Sequence, residues 1–164
     1  MKKYKVDIIE DSEIVAHLIK YELEKQKRFE VELFSSGEAY LNNDPQSDIL
    51  IIDFHLDQYS RLSLNGMQIL KRIKAIKLNL PVIFFSGQGK LNVCVSALKN
   101  GAIDYVSKNS ETYLDDLLTS VNNVANYQEG GQIMVLWRKA FHKSLFSLFI
   151  ISLAIAGIMF VLTY

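Results

Sequence analysis

The feature that most constrains this chain is an alternation of five short apolar runs with segments of helical period. Val6 to Ile9 is rich in β-branched residues, and Ile14, Leu18 and Tyr21 then recur at helical spacing. Phe29 to Phe34 alternates as a strand does, and a short helix is expected after Ser36. Ile49 to Ile52 is a block of branched apolar residues, the signature of a strand covered on both faces. Ile69, Ile73 and Ile76 mark a helix, and Pro81 opens the run Val82 to Phe85. Val93 to Leu98 is helical in pattern and ends at Asn100-Gly101, a helix-stop signal. Tyr105-Val106 is a fifth short strand, and Leu114, Leu117, Leu118, Val121 and Val124 stripe a last helix. Strands separated by helices build a parallel sheet, because parallel neighbours need crossover connections. Such sheets bind ligands at the carboxyl ends of their strands.

Those ends carry a coherent set of side chains. Glu10 and Asp11 follow the first strand, Asp53 the third, Ser86 the fourth and Lys108 the fifth. A parallel sheet gathers them at one edge. Three carboxylates repel one another and call for a counter-charge, and an oxygen-only donor set suits a hard cation such as Mg²⁺. Lys108 and the Ser86 hydroxyl can neutralise and hydrogen-bond an added anion. A carboxylate at Asp53 beside a metal is a nucleophile toward phosphorus. Taken alone, Asp11 would equally serve as a helix cap, and a lone Asp53 or Lys108 would be a solvated loop residue. The chemistry lies in four strand ends carrying these types together.

Composition narrows the class further. Fifteen of the 18 basic residues share the segment up to Glu129 with all 18 acidic ones, so that segment is net acidic and a poor partner for nucleic acid. One cysteine, Cys94, excludes an internal disulfide and a cysteine-based zinc site, fits a reducing cytoplasm, and is expected to be a packed small residue. Gly87-Gln88-Gly89 lacks the lysine spacing of a phosphate-cradling loop and reads as a flexible connection. His55 and His142 have no ligand-spaced partner.

With these pieces in order, residues 4–128 resemble a receiver domain of two-component response regulators. The motifs are Val6-Asp7-Ile8-Ile9-Glu10-Asp11, Ile49-Leu50-Ile51-Ile52-Asp53, Val82-Ile83-Phe84-Phe85-Ser86-Gly87 and Gly101-Ala102-Ile103-Asp104-Tyr105-Val106-Ser107-Lys108. The resemblance implies a flavodoxin-like (βα)5 fold, a doubly wound parallel sheet with strand order 2-1-3-4-5. It implies that Asp53 accepts a phosphoryl group from a sensor histidine kinase or a histidine phosphotransfer protein. Glu10, Asp11, Asp53 and the backbone carbonyl of His55 would hold Mg²⁺, and Lys108 and Ser86 would bind phosphoryl oxygens. Ser86 and Tyr105 match the family's switch pair, and the side chain of His55 stands where the family tunes dephosphorylation. The protein is then a phosphoacceptor rather than a classical enzyme, with the face of helix 4, strand 5 and helix 5 as its signalling and possible homodimer surface.

Two departures stand out. The family usually places proline after the lysine, often with a cis bond; here the pair is Lys108-Asn109, and a cis bond before a non-proline residue costs about 2.5–4 kcal/mol. The connection from Asp53 to Gly66 also exceeds the usual family spacing by roughly five residues, with Asp57 to Arg61 expected to project beside the site.

The far end of the sequence has a different character. Ser144 to Tyr164 contains no charged side chain and is apolar almost throughout, and a hydrocarbon core about 30 Å thick requires about 20 such residues. A transmembrane helix is expected there, with Arg138, Lys139 and Lys143 on its cytoplasmic side. Gly130-Gly131 is expected to break the preceding helix. The expected division is a receiver at 1–129, a basic juxtamembrane linker at 130–143 and a membrane span at 144–164. No secretory signal is expected at the N-terminus. The whole reads as a single-domain response regulator held by one pass at the cell inner membrane, with its receiver in the cytoplasm. A phosphate-independent membrane scaffold and a phosphate sink for a kinase are the alternatives.

Overall fold

The computed structural model describes residues 3–43, 45–56, 63–87 and 91–131. The chain divides into two compact units, residues 1–125 and 126–164. In the first, strands β1 (Tyr4–Ile9), β2 (Phe29–Phe34), β3 (Ile49–Asp53), β4 (Val82–Ser86) and β5 (Asp104–Ser107) form one sheet. Between them run helices α1 (Glu13–Lys25), α2 (Gly37–Asn43), α3 (Gly66–Ile76) and α4 (Leu91–Lys99), and residues 113–125 supply α5. Every ladder is parallel and the strand order is β2-β1-β3-β4-β5, as expected.

Crossover helices cover both faces of the sheet. On one, Val6, Ile8 and Ile51 pack with Ile19 and Leu23 of α1 and Leu117 and Val121 of α5. On the other, Ile9, Leu50 and Ile52 pack with Tyr40 of α2, Ile69 and Ile73 of α3 and Ala97 of α4. Each fully buried Val, Leu or Ile among them contributes about 1.5–3 kcal/mol. Every residue of β3 and β4 is buried, which accounts for their unbroken apolar runs. The chain passes from β1 to one neighbour, β2, and then back across to the other, β3. The crevice for a ligand therefore opens between the ends of β1 and β3.

The helices differ from their sequence reading in instructive ways. In α1 the stripe Ile14, Leu18 and Tyr21 points outward, 83%, 38% and 64% exposed, whereas Ala16, Ile19 and Leu23 face the core. Both stripes have helical spacing, and packing on the sheet selects the second. Ile76 of α3 is likewise exposed, its place in the core taken by Leu70. Asp11 does not cap α1: Ser12 is the N-cap residue, without a side-chain cap bond. α3 opens with a reciprocal capping box, in which Asn65 Oδ1 accepts from the Gln68 N–H and Gln68 Oε1 accepts from the Asn65 N–H, both at 3.0 Å. α4 ends as expected at Gly101, whose φ of +97° lets the Ala102 N–H reach Ala97 O and its own N–H reach Leu98 O. Cys94 is half-buried on α4.

In the second unit, residues 126–131 are helical, Gly130 and Gly131 included, and the described residues end at Gly131. Glycine in a helix interior costs about 1 kcal/mol relative to alanine but forbids nothing. Among the described residues no helix is long and apolar enough to cross a membrane. The apolar run 144–164, its basic flank, His142 and the loop residues 57–61 lie outside the described residues.

Candidate functional site

Glu10 and Asp11, just past β1, and Asp53, the last residue of β3, each direct a carboxylate to the same point. One oxygen from each lies within 4.8 Å of the others. Glu10 and Asp53 are almost wholly buried and Asp11 is half-buried. Together with Ser12, Val15, His55, Gly87 and Lys108 they line a cleft of about 390 Å³.

The backbone beneath Asp53 is held tightly. The Phe54 N–H donates to Phe85 O at 3.2 Å, and the Gly66 N–H donates to Phe54 O at 3.0 Å. A Cβ at Gly66 would stand 2.1 Å from the Asp53 carbonyl oxygen. Only glycine admits so close an approach, so the first residue of α3 packs directly against the backbone of Asp53.

Lys108 closes the cluster from β5. Its N–H donates to Ser86 O at 2.8 Å, continuing the β4–β5 ladder by one bond. Its Nζ donates to Glu10 Oε2 at 2.6 Å and stands 3.0 Å from Asp53 Oδ1 as an ion pair. The same ammonium sits 4.8 Å from the centroid of the Phe85 ring. Burial, then the charge of Asp53, pushes the Glu10 carboxyl above its ordinary range; Lys108 opposes this. The same two causes raise Asp11. Among the described residues, one ammonium, that of Lys108, faces these three carboxylates.

This imbalance is the test of whether a divalent cation fits. Among the described residues, buried Asp11 Oδ2 has no hydrogen-bond partner, and Asp53 Oδ1 meets the Lys108 ammonium at 3.0 Å as an ion pair without a directed hydrogen bond, an arrangement that leaves both oxygens with room for a further positive partner. The donor set is oxygen only, and it opens on a cleft with room for water. A hard cation of the Mg²⁺ type fits on charge, donor type and access.

The other predicted residues fall at the same sheet edge in different ways. His55 lines the cleft, its ring edge-on to Phe54 at 4.9 Å between centroids. Ser86 is fully buried and is not among the residues that line the cleft. Tyr105 is half-buried, its ring stacked on Phe84 at 6.3 Å. No peptide bond among the described residues is cis, Lys108–Asn109 included. Asn109 instead donates from Nδ2 to Gly87 O at 2.7 Å. Gly66, Phe85 and Asn109 are the site residues that sequence reasoning did not assign. Gly66 carried a signal, since a glycine opening a helix in place of a better helix former implies close approach. Asn109 stood out as the residue in place of the family's usual proline, though not as a hydrogen-bond donor, and Phe85 carried no signal.

The description of the response regulator receiver domain matches residues 6–122. The chain belongs to this family. It is 30% identical over 110 residues to the transcriptional regulatory protein FixJ of Rhizobium meliloti, covering 66% of this chain and 51% of that protein. It is 34% identical over 80 residues to the response regulator protein TodT of Pseudomonas putida, covering 48% and 33% respectively. The chain thus spans about half the length of the first of these relatives and a third of the second. Among solved structures, the Francisella response regulator 1452 receiver domain superposes with a TM-score of 0.66 at 26% identity, over 77% of this chain and 99% of that one. A receiver domain protein from Clostridium thermocellum gives 0.63 at 29% identity, over 77% and 97%. Receiver domains accept phosphoryl groups from histidine kinases and bind Mg²⁺ at an acidic pocket. In this receiver Glu10, Asp11 and Asp53 form an acidic cluster.

Proposed function

We propose that Asp53 is the phosphoacceptor of a receiver that works at the cytoplasmic face of the cell inner membrane. One observation carries the first half of this reading. The Asp53 carboxylate is 2% exposed, yet its Oδ1 has no hydrogen-bond partner among the described residues and belongs to a residue lining an open cleft, 3.0 Å from the Lys108 ammonium. A carboxylate oxygen held by an ion pair alone, which the ammonium can exchange for phosphoryl oxygens, is available as a nucleophile. In the transfer, an Asp53 oxygen forms the bond to phosphorus as the bond from phosphorus to the donor imidazole nitrogen breaks, and the imidazole leaves with the electron pair. Lys108 stabilises the charge on the phosphoryl oxygens, for which it exchanges its contacts to Glu10 and Asp53. Glu10, Asp11, Asp53 and the His55 carbonyl would hold Mg²⁺, which supplies charge neutralisation at the phosphoryl oxygens. Ser86 and Tyr105 form the switch: the buried hydroxyl moves to the phosphoryl group and the ring follows it inward.

The partner surfaces follow from exposed apolar residues. Ile14, Leu18 and Tyr21 on α1 rise beside Ser12 and Val15 of the cleft wall and suit a helical phosphodonor, a kinase or phosphotransfer protein. Leu91, Val95 and Leu98 on α4, with Ile103 ahead of β5, suit a homodimer or effector contact on the α4-β5-α5 face. Membrane attachment is supported by the uncharged run 144–164 and its flank of Arg138, Lys139 and Lys143. Tethering raises the effective concentration of any membrane partner.

The test is uptake of beryllofluoride or a phosphoryl group in the presence of Mg²⁺ by wild type and Asp53→Asn. Uptake by wild type alone is expected; equal uptake by both, or none by either, defeats the acceptor assignment. Recovery of the full chain in the supernatant of a carbonate wash defeats the membrane assignment.

A further inference from the structure

The β4–β5 ladder ends at the pair Ser86 and Ser107, and the Lys108 N–H to Ser86 O bond is the next backbone link. One residue further on, the connection is made by a side chain. Asn109 Nδ2 donates to Gly87 O at 2.7 Å, while the Asn109 N–H donates to Ser107 Oγ at 3.3 Å. The side-chain amide thus does what a backbone N–H would do if the ladder continued. It joins the residue after Ser86 to the residue after Lys108, across 22 positions of sequence. A proline at this position has neither an N–H nor an amide and could make neither bond.

We propose that Asn109 is a positioning residue that ties the loop bearing Ser86 to the loop bearing Lys108, so that the two anion-binding groups reach a bound phosphoryl group as one unit. The inference rests on the reading of this site as a phosphoryl acceptor. Its physical basis is preorganisation. With the link in place, movement of Ser86 and Gly87 toward the cleft is coupled to the Lys108 loop. Without it, ordering the Ser86 loop is an additional entropic cost at the moment of binding. Asn109 lies outside the carboxylate cluster, and its hydrogen bonds go to Gly87 and Ser107. Its removal should therefore leave cation affinity alone while weakening anion affinity.

The experiment is a pair of titrations on the full chain, wild type against Asn109→Ala and Asn109→Gln. The first uses Mg²⁺ alone; the second uses beryllofluoride at saturating Mg²⁺, followed by amide NMR shifts of Gly87 and Lys108. A net hydrogen bond of ordinary strength translates into a loss of about 3–10-fold in beryllofluoride affinity for Asn109→Ala. Mg²⁺ affinity should stay within about twofold, since its ligands are untouched. Asn109→Gln keeps an amide donor one methylene further out and should recover part of the loss. Beryllofluoride affinity unchanged in Asn109→Ala overturns the inference. A parallel loss of Mg²⁺ affinity also overturns it, because Asn109 would then merely support the fold. Failure of the wild type to bind beryllofluoride defeats the acceptor reading as well; binding by wild type with no effect at Asn109 defeats this inference alone.

Discussion

Replacement of Asp7 by asparagine is expected to stabilise the fold at pH 8 and to have little effect near pH 4. Asp7 lies in the middle of β1, 3% exposed, beside Glu32 in the parallel register. Its Oδ2 has no hydrogen-bond partner among the described residues. Burial pushes its carboxyl up from 3.8 to about 6; the Ser47 hydroxyl opposes the shift, Glu32 adds to it, and Lys77 and Lys5 oppose it more weakly. A carboxyl whose folded value is raised binds its proton more tightly in the folded state. Its stabilising effect is complete below pH 3.8 and is lost as the pH rises through about 6. The shift of roughly two pH units at 1.36 kcal/mol each places the cost of ionised, buried Asp7 at about 3 kcal/mol as an upper bound. Asparagine removes the charge and keeps an acceptor for Ser47, but sets an amide N–H₂ where Oδ2 stood, which costs about 1–2 kcal/mol if it finds no partner. The net gain is about 1–2 kcal/mol at pH 8 and about zero or slightly negative near pH 4. Urea titrations of both proteins at the two pH values measure it as a difference of midpoints at equal slope. A difference that does not change between pH 4 and 8 would refute the assignment of a charged, buried carboxylate at this position.

Two further substitutions test particular backbone arguments. Gly66→Ala forces a Cβ to 2.1 Å from the Asp53 carbonyl oxygen and 2.9 Å from Phe54 Cα; we expect a loss of about 1–3 kcal/mol in stability together with weakened beryllofluoride binding, and an alanine variant normal in both would show the contact to be relaxed at no cost. Lys27 holds φ of 57° immediately past the end of α1, with its N–H on Glu24 O, so Lys27→Gly should raise the unfolding free energy by about 0.5–1 kcal/mol, read as a higher urea midpoint at unchanged slope, since glycine enters that region without a Cβ clash.

The element order and the strand-end chemistry were legible in the sequence because both are local. A buried parallel strand must be apolar on both faces, so β3 and β4 announce themselves within a few residues, and each hands the chain to a polar residue at its carboxyl end. Glu10, Asp11, Asp53, Ser86 and Lys108 could be placed at one edge from the alternation alone. Which of two apolar stripes on α1 turns inward could not be read this way. Ile14, Leu18 and Tyr21 satisfy the same periodicity as Ala16, Ile19 and Leu23, and only the sheet beneath decides between them.

The sequence by itself determined the fold class, the family and the residue types at the site. The tertiary structure decided how those residues use one another. It placed Lys108 against Glu10, 98 positions away, left Asp11 Oδ2 without a hydrogen-bond partner among the described residues, and buried Ser86 completely. It also brought Gly66 onto the carbonyl of the acceptor and spent the Asn109 side chain on Gly87. The reason is one of range. Periodicity and strand ends record what each segment must bury, whereas a hydrogen bond between distant loops, or a close approach of two backbones, exists only once several segments share one sheet edge.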